Sequence, residues 1–219
     1  KLTILQIRIF STACNKGRFV RISSIKQQVK RAERYSVFVD DKYSFSLSEL
    51  GLINSGLHVG QEIDKEELEG LKDTALYDKF YNNVLNLLAR RPRSEWEIHD
   101  YLKRKDSPAP LIEKILNKLS KNGYVNDKEF ARIWIENRRL LRPTSRRKLI
   151  AELKQKRVSQ EAITEAIGQD ETDETQVLKD LIAKKRKIAR YQDDQKLMRY
   201  LAGQGFNFDN IKSALGSQD

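Results

Sequence analysis

Three leucines, Leu102, Leu153 and Leu201, carry matching apolar neighbours at matching distances, and that register constrains the fold more than any other feature of the chain. Four residues before them stand Ile98, Leu149 and Leu197; ten after stand Ile112, Ile163 and Ile211; fourteen after stand Leu116, Ile167 and Leu215. Residues four apart share one face of a helix, so each copy predicts two amphipathic helices packed through the same positions. The anchors are 51 and 48 residues apart, and Pro92 and Pro143 each stand ten before their own anchor. Tandem helical units account for this register; the competing reading is an irregular bundle in which the spacing is accidental.

The first unit opens with Asp64-x-x-Glu67, a capping signal, followed by apolar residues at Leu71, Leu76, Phe80, Val84, Leu87 and Leu88. This predicts a long helix, with a bend at Gly70, ending before Pro92. Ser94-x-x-Glu97 is a capping box for the next helix, and Gly123 ends the third. Ahead of residue 64 the character differs. Residues 1–34 hold nine Lys or Arg against Glu33 alone, whereas residues 35–70 hold two against eight acids. Within this part "RYSVFVDDKYSFSL" alternates around Asp40-Asp41, with Val37, Val39, Tyr43 and Phe45 on repeating steps, as in a β-hairpin. "TILQIRIF" and "ISSIKQQV" are further strand candidates. The expected architecture is mainly α: three tandem three-helix repeats in an elongated array, after a small N-terminal β-hairpin module. Its segments are 1–63, 64–124, 125–172 and 173–219.

Composition narrows the function. The 219 residues are 39% hydrophobic and 33% charged, which suits small helical units, and the net charge of +11 favours an anionic partner. Cys14 is the one cysteine, so there is no internal disulfide framework. With no apolar run long enough for a membrane span and no signal-peptide core, a cytoplasmic protein is expected. Neither a phosphate loop, a His-Glu-x-x-His pair, a nucleophile elbow nor a zinc Cys pair is present, so no catalytic residue, metal or cofactor is expected. His99 aligns with Ile150 and Met198 and reads as a packing residue, and His58, between two glycines, as a turn residue. Trp134 shares a face with Phe130 and Ala131 and reads as core; Trp96, just inside a helix start, is open between packing and base stacking.

The charge concentrates in "ENRRLLRPTSRRKLIAELKQKR", which from Arg138 onward holds nine cations against Glu152. On the helix that begins there, Leu149, Ile150 and Leu153 form the buried stripe, with Arg147, Lys148, Ala151, Lys154 and Gln155 on the opposite side. A solvated helix face ordinarily mixes both signs, as Glu95, Glu97 and Asp100 do beside Lys103 and Arg104 in the first unit. An acid-free face instead suits a polyanion. Arg138, Arg139, Arg142, Arg146, Arg147, Lys148 and Lys154 are therefore candidate contacts. Simple solvation is the alternative for such a run.

"LLARRPRSEWEIHDYL", then "NDKEFARIW" with its basic Pro-containing loop and "AELKQKRV", then "GQGFNFDNIKSAL", resemble the RecX family over about residues 75–216. The segment "SIKQQVKRAERYSVFVDDKYSFSLSELGL" resembles the N-terminal extension of some members. The resemblance implies a non-enzymatic monomer that lodges on the RecA–single-stranded DNA filament. It also implies suppression of ATP hydrolysis, strand exchange and co-protease action, with disassembly favoured. On the same grounds Arg91 and Arg93, with Arg142, Arg146 and Arg147, become candidate filament or DNA contacts. Asn126, Ser145 and Arg157 depart from the family's pattern, the last two standing where glycines are expected. The alternative is a helix-turn-helix regulator binding duplex DNA directly, against which the third helices "SQEAITEAIG" and "FDNIKSALG" are nearly uncharged or acidic.

Overall fold

A computed structural model describes residues 19–216; the strand candidate "TILQIRIF" and Cys14 lie outside the described residues. The chain divides into two compact units, up to residue 83 and from residue 84 onward.

In the first unit, strands β1 (Phe19–Gln28), β2 (Arg31–Val39), β3 (Lys42–Ser48) and β4 (Glu62–Asp64) form one antiparallel sheet in the order β3-β2-β1-β4. The expected hairpin is β2–β3, closed by Asp40 and Asp41 at φ 47° and 63°. A two-residue loop in this left-handed conformation matches the twist of the strands it joins. Strict alternation fails once. Val37 pairs with Phe45 but Phe38 pairs with Tyr43, so Ser44 is an extra residue in β3. This bulge turns Tyr43 away from the core, leaving it 59% exposed and edge-on to Phe38 at 6.0 Å. Val37, Val39 and Phe45 remain buried with Ile22, Leu47 and Ile63.

The module holds more than a hairpin. Helix α1 (Glu49–Ser55) follows β3, capped by Ser48. Helix α2 (Lys65–Leu88) begins at the expected cap, where Glu67 N donates to Asp64 Oδ1 at 2.7 Å, and continues through Gly70. Its early turns belong to the sheet: Ala75 is part of that core, with Leu68 and Leu71 packed against it. Asp78 accepts from Ser48 N and Ser48 Oγ at 2.7 and 2.6 Å and pairs with Arg34. The sheet's unit thus runs about twenty residues past the charge boundary at 63.

In the second unit the end of α2 is followed by α3 (Glu95–Lys103) and α4 (Ala109–Lys121). Next come α5 (Asp127–Leu141), α6 (Arg146–Gln155) and α7 (Gln160–Gly168). Finally come α8 (Glu174–Arg186), a single helical turn at Ala189–Tyr191, α9 (Asp194–Gly203) and α10 (Phe208–Gly216). Three positions of the register form the core: Ile98, Leu102, Leu149, Leu153, Leu197 and Leu201 are fully buried, as are Ile112, Ile163 and Ile211 within a few per cent; at the fourth, Leu116 is buried but Ile167 and Leu215 are half-buried. The α3 capping box forms as expected, Ser145 caps α6 and Asn126 caps α5.

Neighbouring repeats meet through equivalent positions. The first amide of α3, Glu95 N, donates to Asp127 at the start of α5, and the first amide of α6, Arg146 N, donates to Glu174 at the start of α8. The cap of α3 reaches the end of α6, Ser94 Oγ donating to Lys156 O at 2.9 Å; the cap of α6 reaches the end of α9, Ser145 N donating to Gln204 O at 3.2 Å. Both cap serines are wholly buried for this reason. Each second helix ends in a left-handed residue four after its anchor: Asp106, Arg157 and Gly205, at φ 57°, 54° and 88°. Of the departures from the family pattern, Ser145 sits at φ −69° and needs no glycine, whereas Arg157 occupies backbone that glycine would adopt freely.

Candidate functional site

The predicted cations fall into different environments. Arg138 donates to Glu152 Oε2 at 2.8 Å and lies over the Trp134 ring at 4.8 Å. Trp134 is half-buried, packs on the middle core, and donates its indole N–H to the same carboxylate at 2.9 Å. Arg139 is nearly buried, held by Asp170 Oδ2 at 2.6 Å and Thr144 O at 2.6 Å. Burial would raise the Asp170 carboxyl, but hydrogen bonds from Arg139 and Thr172 hold it below its ordinary value. Arg146 donates to Asp170 O at 3.0 Å. Lys148 donates to Gly203 O and Gln204 Oε1 at 2.9 and 3.0 Å, so the acid-free face of α6 is in part an anchor for the third repeat. Arg138, Arg139 and Arg146 thus bind the second repeat internally, and Lys148 ties it to the third.

Arg142, Arg147 and Lys154 differ from them. All are exposed, and none has a side-chain hydrogen bond or ion pair among the described residues. Arg142 lines a cleft of about 440 Å³ between the second and third repeats, with Arg138, Lys148, Pro143, Tyr200, Lys184 and Lys185. The last two were missed in the sequence. They open the run Lys184-Lys185-Arg186-Lys187, followed by Arg190, with no acid between. That run is the signal that marked the middle repeat, and it was available. Lys185 lies over Tyr200 at 4.6 Å and Tyr191 at 5.4 Å, while Lys184 is exposed. The one carboxylate in the cleft wall, Glu152, is already bound by Arg138. Such an arrangement attracts a negatively charged chain or surface.

On the first repeat, Arg91 forms a two-point pair with Glu97 at 2.9 and 3.2 Å, and Lys156 reaches the same carboxylate at 2.8 Å. Burial would raise Glu97, yet the hydrogen bonds of Arg91 and Lys156 bring its pKa down to about 2. Arg93 makes no such pair among the described residues, and its Nε is buried without a partner. Trp96 is half-buried, with the Arg157 guanidinium over its ring at 5.3 Å. His99 is half-buried on α3, as its register implies. Among the described residues no group of three His, Cys, Asp or Glu is placed to hold a metal, and no helix is long and apolar enough to cross a membrane.

Four family models match in chain order. They are the regulatory protein RecX N-terminal domain at residues 20–64 and the RecX first, second and third three-helix domains at 81–119, 126–167 and 171–215. The chain is 33% identical over 201 residues to the regulatory protein RecX of Listeria monocytogenes serotype 4a (strain HCC23), covering 89% of this chain and 74% of that one. It is 30% identical over 199 residues to that of Bacillus subtilis (strain 168), covering 89% and 75%. A crystal structure of a regulatory protein RecX superposes with a TM-score of 0.64 at 26% identity, covering 90% of this chain and 99% of that one. With the repeat fold, the register and these matches in agreement, the chain belongs to the RecX family of regulatory proteins.

Proposed function

We propose that this chain is a non-enzymatic, cytoplasmic regulator that binds the RecA–single-stranded DNA filament as a monomer. It lowers the filament's ATP hydrolysis, strand exchange and co-protease activity and favours disassembly, with single-stranded DNA as a contact and duplex DNA a weaker one. Family membership supports the reading, and one observation carries the site. Arg142, Arg147 and Lys154 are exposed and unpaired among the described residues, while Arg138, Arg139 and Lys148 beside them are committed to carboxylates or carbonyls. Charges already neutralised within the fold contribute little to a polyanion; free ones release counterions on binding.

The test is a RecA ATPase assay on single-stranded DNA with the full chain titrated in. Inhibition is expected at amounts well below one per RecA monomer. Changing Arg142, Arg147 and Lys154 together to Gln should leave melting unchanged, weaken inhibition at moderate ionic strength, and flatten the log-affinity against log-salt slope by about 0.7 per lost single-strand phosphate contact. Changing Lys103 and Arg104 should do less, since Arg104 already pairs with Asp100. Sequence-selective duplex retardation with no ATPase effect would overturn the proposal in favour of a direct duplex-binding regulator.

A further inference from the structure

Arg93 borders a cavity of about 450 Å³ that the basic surface does not explain. Its walls are Leu85 and Leu88 from the end of α2, Pro92, and Phe130 and Ile133 from α5, with Tyr124 at the rim, 57% exposed. Arg93 has a buried Nε without an acceptor and no ion pair among the described residues, whereas its neighbour Arg91 is fully engaged by Glu97. Burial presses the Arg93 pKa below its ordinary value, and so does Arg91; Glu97 pulls weakly the other way against a smaller push from Arg90. A partly desolvated guanidinium with no carboxylate paired to it among the described residues, set beside apolar walls, is an incomplete pair.

We propose that this cavity receives a protein segment of the filament partner in which a carboxylate adjoins a large apolar side chain, the carboxylate closing on Arg93 and the apolar group entering between Leu85, Leu88 and Ile133. The proposal deepens the filament reading and rests on it. A nucleic-acid strand fits less well. Phosphates are strongly hydrated and gain nothing from leucine and isoleucine walls, and a base presents polar edges that these walls leave unpaired. Two other polar wall groups are committed: Asn126 Oδ1 accepts from the amides that open α5, and Glu129 is bound by Arg132.

The experiment uses the full chain, with labelled arginine side chains and Leu and Ile methyl groups, titrated by NMR with 4-phenylbutyrate. The Arg93 Nε–H and the methyls of Leu85, Leu88 and Ile133 should shift together and saturate. The uncharged 4-phenylbutyramide should bind about tenfold more weakly, the scale of one lost charged hydrogen bond. Arg93→Gln should bring the acid down to the amide's affinity, and Tyr124→Ala, a change at an exposed rim, should weaken both. Equal affinity for acid and amide, the absence of shifts, or displacement of the acid by inorganic phosphate or oligo-dT would overturn the proposal, the last pointing to a phosphate contact. In the RecA assay 4-phenylbutyrate, but not the amide, should relieve inhibition by the wild type and leave the weaker inhibition by Arg93→Gln unchanged. Wild-type-like inhibition by Arg93→Gln would remove the cavity from the partner interface. If the wild type does not inhibit RecA at all, the filament reading falls while the titration still reads the cavity. If inhibition holds and the titration is silent, the cavity proposal alone falls.

Discussion

The two junctions between repeats use the same backbone positions with different side chains. Between the first and second repeats the contact is ionic: Lys156, at the end of α6, pairs with Glu97, and Arg157 lies over Trp96. Between the second and third it is close-packed: Thr144 Oγ1 and Ser145 N both donate to Gln204 O, and the next residue, Gly205, lies against the start of α6. A Cβ on Gly205 would stand 2.4 Å from Ser145 Oγ and 3.2 Å from Lys148 N. One helical repeat therefore supports two kinds of joint. A long side chain fits at Arg157 because its neighbour is a flat ring, and nothing fits at Gly205 because its neighbour is a helix cap.

Gly205→Ala should break this contrast most severely. Left-handed backbone costs a residue with a Cβ roughly 1–2 kcal/mol, and forcing an atom into a filled contact adds about 1–3. Cooperative thermal unfolding should shift down accordingly, with amide protection lost first near Leu149 and Leu201. Unchanged melting would mean that the second junction is no tighter than the first.

Glu97→Gln probes the ionic joint. The folded carboxyl, at about 2, lies below its ordinary value of 4.5, so the group stabilises the fold fully above about pH 4.5 and loses that contribution as pH falls toward 2. With solvent screening the contribution is about 1–2 kcal/mol. The glutamine variant should melt lower at neutral pH and lack this component of the acid transition, a difference that melting curves at pH 7 and pH 3 measure directly. Identical acid dependence in both proteins would show that the Arg91–Glu97–Lys156 cluster does not hold the joint.

The repeats were legible because each rests on local information: an i, i+4 pair, a cap and a turn within some twenty residues. The joints were not, since Ser94 meets Lys156 and Thr144 meets Gln204 across about sixty residues, through main-chain carbonyls that carry no sequence signature. The same limit applied to the charges. Composition located the basic stretch, but Arg139's commitment to Asp170 and Lys148's to the end of α9 depend on the fold bringing them together. Tyr43 fell on the wrong face because a one-residue bulge reverses alternation without changing residue type. The run from Lys184 to Arg190 is different: it is acid-free, like the exposed face of the middle repeat's basic helix, and is legible in the sequence itself.

The smallest expected effect sharpens the comparison most. Arg157→Gly relieves left-handed strain of roughly 1–2 kcal/mol, but it also removes the guanidinium from Trp96, a contact of about 0.5–1 kcal/mol at a surface site. The net should be a gain between about 0 and 1.5 kcal/mol, visible as a melting rise of a few degrees at most. Arg157→Asn separates the two contributions, since asparagine tolerates left-handed backbone yet cannot cover the ring. If it melts below both the wild type and the glycine variant, the ring contact outweighs the strain at this joint. In either variant Trp96 fluorescence should change while Trp134, held by Glu152, Arg138 and Lys156, should not. A glycine variant that loses stability instead would show that Arg157 holds the first joint as firmly as Gly205 holds the second, and the distinction between an ionic and a close-packed joint would have to be abandoned.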